Sequence, residues 1–162
     1  MIDPKKVFQD KHIHKRALDI LVPFTELLQS AKFENDSILV PLSGYRDPEE
    51  QAALYRVGRT LPGSIITNSV PLQSYHNYGL AVDYALWNGK YGLGFCSPPQ
   101  PELSPAWDWM ETCCREFQDI IWGGDFKMKD RPHVELHFGL PVSQLKRAFE
   151  SYGWDGIVSL IS

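Results

Sequence analysis

The chain has 162 residues, 43% of them hydrophobic and 22% charged, with a formal net charge of −4 at pH 7. This length and balance are typical of one globular domain that buries its own core without disulfide bonds, so we expect a single domain over 1–162. The acidic balance argues against a nucleic-acid or anionic-membrane partner, and we expect a monomer.

The first half of the chain predicts helices around one strand. Apolar residues recur at helical spacing from Ile13 to Ala31, and because Pro23 interrupts them we expect a short first helix and then a second helix with the proline in its first turn. The run SILVPLSGY (Ser37–Tyr45) is predicted to be a buried strand. The run DPEE starting at Asp47 joins a cap, a first-turn proline and acidic residues, which predicts a helix to about Val57.

The second half mixes short strands with helices. Gly58 to Val70 is predicted to be a loop, and the Gly- and Pro-rich stretch 88–101 to be irregular and to border a cleft. The predicted strands are Ala81–Trp87, Ile120–Trp122 and Val134–Phe138. The predicted helices are Ser104–Phe117 and Val142–Tyr152, and Gly153 is expected to end the second of them. Because βαβ alternation is not regular, we predict an α+β fold with a small antiparallel sheet flanked by helices.

The cysteines and the N-terminal segment restrict the compartment. Cys96, Cys113 and Cys114 are odd in number and form no CxxC pair, which argues against a thiolate zinc site and suits a reducing compartment. The first residues lack the apolar core of a signal peptide, and no run approaches the ~18–20 apolar residues of a membrane span. We therefore expect a protein made in the cytoplasm without a signal peptide and without membrane insertion.

The segment SYHNYGLAVDYAL (Ser74–Leu86) contains two potential metal ligands. Zinc binds imidazole nitrogen and carboxylate oxygen, and a catalytic site has three protein ligands and one open position. A turn at Gly79 would allow His76 and Asp83 to converge on one ion. Alone the pattern is unspecific, because such residues occur together in many proteins and a histidine among apolar residues is more often a packed core residue.

The segment DRPHVELH (Asp130–His137) supplies candidates for a third ligand. As a strand it places His133, Glu135 and His137 on one face. Two residues along a strand are ~6.6–6.8 Å apart, so His133 and His137 can hardly both bind one ion, and the spacing to Asp130 favours His133. Asp130 stands where a carboxylate can take a proton from an attacking water and deliver it to the leaving amine. The alternative is that Asp130 caps a turn and His133 packs in the sheet.

Together the two segments resemble the zinc D-Ala-D-Ala carboxypeptidase and L-alanyl-D-glutamate endopeptidase family, peptidoglycan peptidases with a hedgehog-like fold. SYHNYGLAVDYAL matches the family pattern S-x-H-x-x-G-x-A-x-D, and WGGDFKMKDRPHVEL (Trp122–Leu136) resembles the second pattern of the L-alanyl-D-glutamate endopeptidase branch. LSGYRDPEEQAALYRVGRT (Leu42–Thr60) and the PG…T run before the first motif also resemble that branch. The four motifs stand in the expected order, over roughly Leu18 to Leu140.

The resemblance implies roles for individual residues. It implies one Zn²⁺ ion bound by His76, Asp83 and His133, with Asp130 as the catalytic acid and base. It also implies that Arg46 faces the substrate carbonyl, where a guanidinium stabilises the oxyanion; the alternative is a surface arginine beside a helix cap.

Two further positions follow from the same resemblance. Ser74 would hydrogen-bond the substrate or orient a ligand. Glu135 would hold the metal ligands in place without binding the ion itself. His137, the rival third ligand, would then lie beside Glu135.

The implied function is hydrolysis of the peptidoglycan stem peptide between L-Ala and D-Glu, as in phage endolysins or host autolysins. The enzyme would act on the wall after release through a pore or delivery in a phage-like particle, without a separate wall-binding domain. The alternatives are a D-Ala-D-Ala carboxypeptidase or dipeptidase, a zinc-binding domain without turnover, and a structural part of a phage particle. DRPHVEL and the GRT region argue against the carboxypeptidase, and Asp130 and Arg46 against the domain without turnover.

Overall fold

A computed structural model describes residues 4–33, 36–87, 92–93 and 104–162. Its helices are α1 (Lys15–Leu28), α2 (Pro48–Arg56), α3 (Ser104–Arg115) and α4 (Val142–Ile161), and its strands are β1 (Ile38–Ser43), β2 (Ala81–Trp87), β3 (Gly92–Leu93), β4 (Ile120–Trp122) and β5 (His133–Leu136). Short 3₁₀ segments occur at Pro4–Gln9, Tyr75–Tyr78 and Gly123–Asp125. The predicted α+β class with an antiparallel sheet is confirmed.

The sheet has the order β1-β2-β5-β4, with every pair antiparallel and with β3 also paired to β2. Pro41 lies in β1, an edge strand of this path, where a missing N–H is tolerated. The register shifts between Pro41 and Ser43, so that Ser43 lies opposite Asp83 of β2. On the other side of β2, Asp83 lies directly opposite His133 of β5.

Alternation along β2 separates the core from the functional face. Val82, Tyr84 and Leu86 are buried, and the Tyr84 ring packs edge-on against Phe24 of α1 at a centroid distance of 5.8 Å. The Tyr84 hydroxyl also hydrogen-bonds Thr25 of α1 at 2.7 Å. Because side chains alternate along a strand, Asp83 points to the face opposite this core.

Helix α1 differs from the prediction, because it runs without a break through Pro23. The proline nitrogen carries no hydrogen, so the carbonyl of Asp19 lacks its helical donor. Asp19 and Pro23 are both exposed, so water can hydrogen-bond that carbonyl, and the split into two helices was wrong. The stretch after Leu28 is a turn rather than the end of a longer helix.

Helix α4 contains the predicted stop and then continues beyond it. At Gly153 the backbone has φ 60° and ψ −144°, which is not helical, and the chain then resumes a helix to Ile161. The prediction of a break at Gly153 is confirmed, whereas the second helical segment was not predicted. That segment is held by burial of Ile157 and Ile161 and by a hydrogen bond from Arg16 to the Ile161 carbonyl at 2.8 Å.

The remaining predicted strands and helices are present with ends that differ by up to two residues. β1 is shorter at both ends than the predicted strand, α3 ends at Arg115 instead of Phe117, and β5 begins one residue earlier and ends two earlier than predicted. Cys113 and Cys114 are buried free thiols, and burial raises their pKa values to about 11 and 12. The predicted cleft border at 88–101 lies outside the described residues apart from β3, as does Cys96. Among the helices described, none is long and apolar enough to cross a membrane.

Candidate metal centre and active site

His76, Asp83 and His133 meet on the open face of the sheet. One nitrogen or oxygen atom from each lies within 4.8 Å of the others. Asp83 Oδ1 is 2.9 Å from His133 Nδ1 and 3.3 Å from His76 Nε2. Both histidines are buried, and 15% of the Asp83 side chain is exposed. The structure therefore brings together the three residues that the sequence singled out as ligands.

The first motif folds as a capped 3₁₀ turn. The Ser74 side chain accepts a hydrogen bond from the backbone N–H of His76, and Asn77 bonds back to the Ser74 N–H. Gly79 ends the turn in the left-handed conformation with φ 65°, as a glycine there can without strain. A Cβ at Gly79 would also collide with the backbone carbonyl oxygen of His12. The turn thus places His76 above the start of β2, as the sequence predicted.

Hydrogen bonds behind each histidine decide which nitrogen faces Asp83. The His76 Nδ1–H donates to the Gly44 carbonyl oxygen at 2.6 Å, which leaves Nε2 facing Asp83. The His133 Nε2–H donates to Glu135 Oε2 at 3.0 Å, which leaves Nδ1 facing Asp83. Metal-binding histidines are oriented in this way by a carbonyl or carboxylate partner. The donor set of two imidazole nitrogens and one carboxylate fits a divalent metal ion such as zinc.

Contacts within the cluster shift the pKa values of His133 and Asp83. Burial would lower the pKa of His133, but its hydrogen bonds to Asp83 and Glu135 raise that pKa to about 10. Burial would likewise raise the pKa of Asp83, whereas His76 and His133 hold it well below its usual range. Because a nitrogen that binds a metal ion carries no proton, an ion at this cluster would compete with protons for it.

Asp130 lies beside these three residues, just before β5. Its carboxyl interacts electrostatically with His133, Asp83, His76 and Arg46. Asp130 is an exposed residue, yet the protein around the carboxyl removes part of its hydration, and this partial burial raises its pKa above the ordinary value. An exposed carboxyl that holds its proton more tightly than usual is suited to proton transfer.

The tight turn before Asp130 depends on Gly123. The Asp130 N–H donates to the Gly123 carbonyl at 2.9 Å, and the His133 N–H donates to the Asp130 carbonyl at 3.1 Å. A Cβ on Gly123 would collide with the Asp130 carbonyl oxygen and lie 3.0 Å from the His133 Cβ. The backbone at Gly123 therefore lies too close to Asp130 and His133 to leave room for a side chain.

Arg46 also reaches the site, and only 12% of its side chain is exposed. Its NH2 group is 3.4 Å from both Asp83 Oδ2 and Ser43 Oγ. Its backbone is tied to the 3₁₀ turn, because its N–H donates to the His76 carbonyl at 3.0 Å and its carbonyl accepts from the Asn77 side chain at 2.8 Å. The alternative of a surface arginine is therefore excluded.

Glu135 and His137 lie behind the ligand cluster rather than in it. Glu135 Oε1 accepts a hydrogen bond from His137 Nε2 at 2.6 Å, while its other oxygen contacts His133. The His137 ring stacks on Tyr75 at a centroid distance of 4.1 Å. In the described part of the chain, the group of potential metal ligands includes His133 and not His137.

Three contributors were not predicted from the sequence: the Gly44 carbonyl, Gln51 and Asn77. Gln51 is the one residue of α2 that is buried, and it contacts Arg46. Asn77 is 1% exposed and contacts both Ser74 and Arg46. The sequence carries no signal for these contributors, because their burial and contacts depend on segments distant in the chain.

The chain is similar to known proteins in sequence and in fold. A family model described as D-alanyl-D-alanine carboxypeptidase, of the M15 peptidases, matches residues 67–136. The chain is 31% identical over 134 residues to the peptidoglycan L-alanyl-D-glutamate endopeptidase CwlK of Bacillus subtilis (strain 168), covering 82% of this chain and 80% of that protein. Its fold is similar to that of the Serratia marcescens L-Ala D-Glu endopeptidase ChiX, with a TM-score of 0.50, 18% identity, and coverage of 93% of this chain and 90% of that one. The chain belongs to the M15 peptidase family.

Proposed function

We propose that this protein is a zinc-dependent endopeptidase that hydrolyses the L-Ala–D-Glu bond of the peptidoglycan stem peptide. The observation behind the proposal is the cluster of His76, Asp83 and His133, in which both histidines are oriented from behind toward one point. The relative CwlK is named for cleavage of this bond in peptidoglycan. The same cluster is the proposed site of one Zn²⁺ ion.

A bound zinc ion would act as a Lewis acid on the scissile carbonyl and lower the pKa of a water molecule toward ~7. His76 and His133 contribute neutral nitrogens, because the Gly44 carbonyl and Glu135 hold the opposite ring positions. We therefore propose that Glu135 orients His133, that His137 supports Glu135, and that Ser74 orients His76 through its backbone N–H.

Asp130 is the proposed general base and acid. It would accept a proton from the attacking water and deliver it to the amino group of the leaving D-Glu residue. Its raised pKa favours the first step, because a carboxylate of higher pKa is a stronger base toward the attacking water. Its exposure leaves the carboxyl accessible to the peptide.

Arg46 is the proposed oxyanion-stabilising group. The guanidinium lies next to Asp83 and carries a fixed positive charge on the edge of the cluster. Charge develops on the carbonyl oxygen as the tetrahedral intermediate forms, and a positioned guanidinium stabilises it most in a site from which water is largely excluded.

The wall peptide is the proposed partner. The single domain, the monomeric state and the delivery through a pore or particle stay predictions.

The test combines metal analysis with peptide mapping on purified peptidoglycan. We expect the wild-type protein to bind about one zinc ion and to release new amino termini, and mass analysis of the fragments to locate the cut between L-Ala and D-Glu. Asp130→Ala should keep the zinc and lose cleavage. Release of free D-Ala instead would establish a carboxypeptidase, and zinc binding without any cleavage by the wild type would refute the peptidase proposal.

A further inference from the structure

We propose that Gln51 is a positioning residue that holds the Arg46 guanidinium in its working orientation. This inference depends on the proposed function, because it assigns Gln51 its effect through the proposed role of Arg46. Gln51 is fully buried, at 0% exposure, on a helix whose other described residues are at least partly accessible. A buried amide is stable only when its donors and acceptor are paired.

Both ends of the Gln51 amide are paired, and each faces a different part of the protein. Its Oε1 accepts a hydrogen bond from Arg46 NH1 at 3.1 Å. Its Nε2 donates to the Ser69 carbonyl at 2.7 Å and to Thr67 Oγ1 at 3.3 Å. The amide therefore cannot rotate without breaking bonds at both ends, and it presents a fixed acceptor to Arg46.

Arg46 has few other restraints on its side chain. Its contacts to Ser43 Oγ and Asp83 Oδ2 are both 3.4 Å long, close to the limit for a hydrogen bond. Its Nε is buried and has no hydrogen-bond partner among the described residues. The bond to Gln51 is thus the shortest side-chain hydrogen bond of the guanidinium, and its loss would free the group to rotate.

Gln51 also connects Arg46 to the loop from Gly58 to Val70. The loop is fastened independently by Arg59, which donates to the Thr67 carbonyl and to Asn68 Oδ1, each at 3.0 Å. Within the described residues, the hydrogen bonds of the Arg59 guanidinium go to Tyr55, Thr67 and Asn68 rather than to Arg46 or Gln51, and the guanidinium packs on the Tyr55 ring at 3.8 Å. Arg59 therefore provides a control that loosens the same loop without removing the acceptor for Arg46.

The experiment measures kcat and KM for an L-Ala–D-Glu peptide with Gln51→Met, Gln51→Asn and Arg59→Met, together with zinc content and thermal unfolding. Methionine has similar length but no hydrogen bonds, and asparagine keeps the amide but shortens its reach, so one variant remains if the other fails to fold. We expect kcat to fall about 10- to 100-fold in both Gln51 variants, since loss of an oxyanion donor costs about 10²–10³ in kcat and misplacement costs less than its removal. Zinc content and KM should be nearly unchanged, and Arg59→Met should keep kcat within about threefold, because it leaves the Gln51 acceptor in place.

A double-mutant cycle separates positioning from general damage. In an Arg46→Met background, Gln51→Met should reduce kcat no further, because the group that it positions is already absent. A wild-type kcat in both Gln51 variants, an equal loss in Arg59→Met, or an undiminished loss in the Arg46→Met background would each overturn the inference. A wild-type protein that does not cleave the peptide would instead refute the proposed function.

Discussion

Gly79→Ala should be strongly destabilising for two separable reasons. The residue has φ 65°, and a side chain in the left-handed region costs about 1–2 kcal/mol. The added Cβ would also collide with the His12 carbonyl oxygen and lie 3.1 Å from the Ile13 Cα, and forcing backbone apart in a packed region costs about 1–3 kcal/mol. We expect a total loss of about 2–5 kcal/mol in the free energy of unfolding.

Gly139→Ala is the matched control. Gly139 has φ 74°, yet a Cβ there would meet nothing within 4 Å, so only the backbone cost of about 1–2 kcal/mol applies. Chemical denaturation of both variants with zinc chelated gives the two free energies directly. Because the turn places His76, Gly79→Ala should also weaken zinc binding, whereas Gly139→Ala should not. Equal losses in the two variants would refute the argument that the turn is packed against the N-terminal segment.

Three further outcomes are expected. Glu135→Gln should weaken zinc binding about 10- to 100-fold, measured by competition with a chelator, because one amide oxygen cannot accept from both His133 and His137; unchanged affinity would contradict this orienting role. The acid limb of the pH profile of kcat/KM should have an apparent pKa above the ordinary 3.8 of an aspartate, because the pKa of Asp130 is raised. Asp130 must be deprotonated to act as a base, so activity is lost as the pH falls through that pKa. An acid limb at or below pH 3.8 would argue against Asp130 as the base. Zinc added to the chelated protein should raise its melting temperature with increasing concentration, and an unchanged melting temperature would show that no ion binds the native state.

Much of the site was predictable because its information is local. The turn at Gly79 and the alternation of His133 and Glu135 along β5 follow from short-range backbone rules, and the antiparallel sheet then sets Asp83 opposite His133. The cap at Asp47 was predictable for the same reason, since its side chain accepts hydrogen bonds from the backbone N–H groups of Glu49 and Glu50, two and three residues further along the chain.

The parts that sequence reasoning missed depend on distant contacts. A proline breaks many helices, but Pro23 lies on the exposed side of α1. Which side of α1 is exposed depends on how the opposite side packs against the rest of the fold. The segment after Gly153 is a helix because Ile157 and Ile161 are buried against the rest of the fold. Gln51 resembles a surface glutamine in sequence, and its burial follows from the loop that closes over it.

The cross-strand position of Asp83 and His133 has a consequence for folding. The two residues are 50 positions apart in the chain, so an ion that they share would act as a cross-link closing a long segment that includes α3 and β4. In the chain-entropy model a cross-link over about 50 residues removes on the order of 4 kcal/mol of denatured-state entropy. The ligands come together only once β2 and β5 have paired, so the metal would bind late in folding and would slow unfolding more than it accelerates folding.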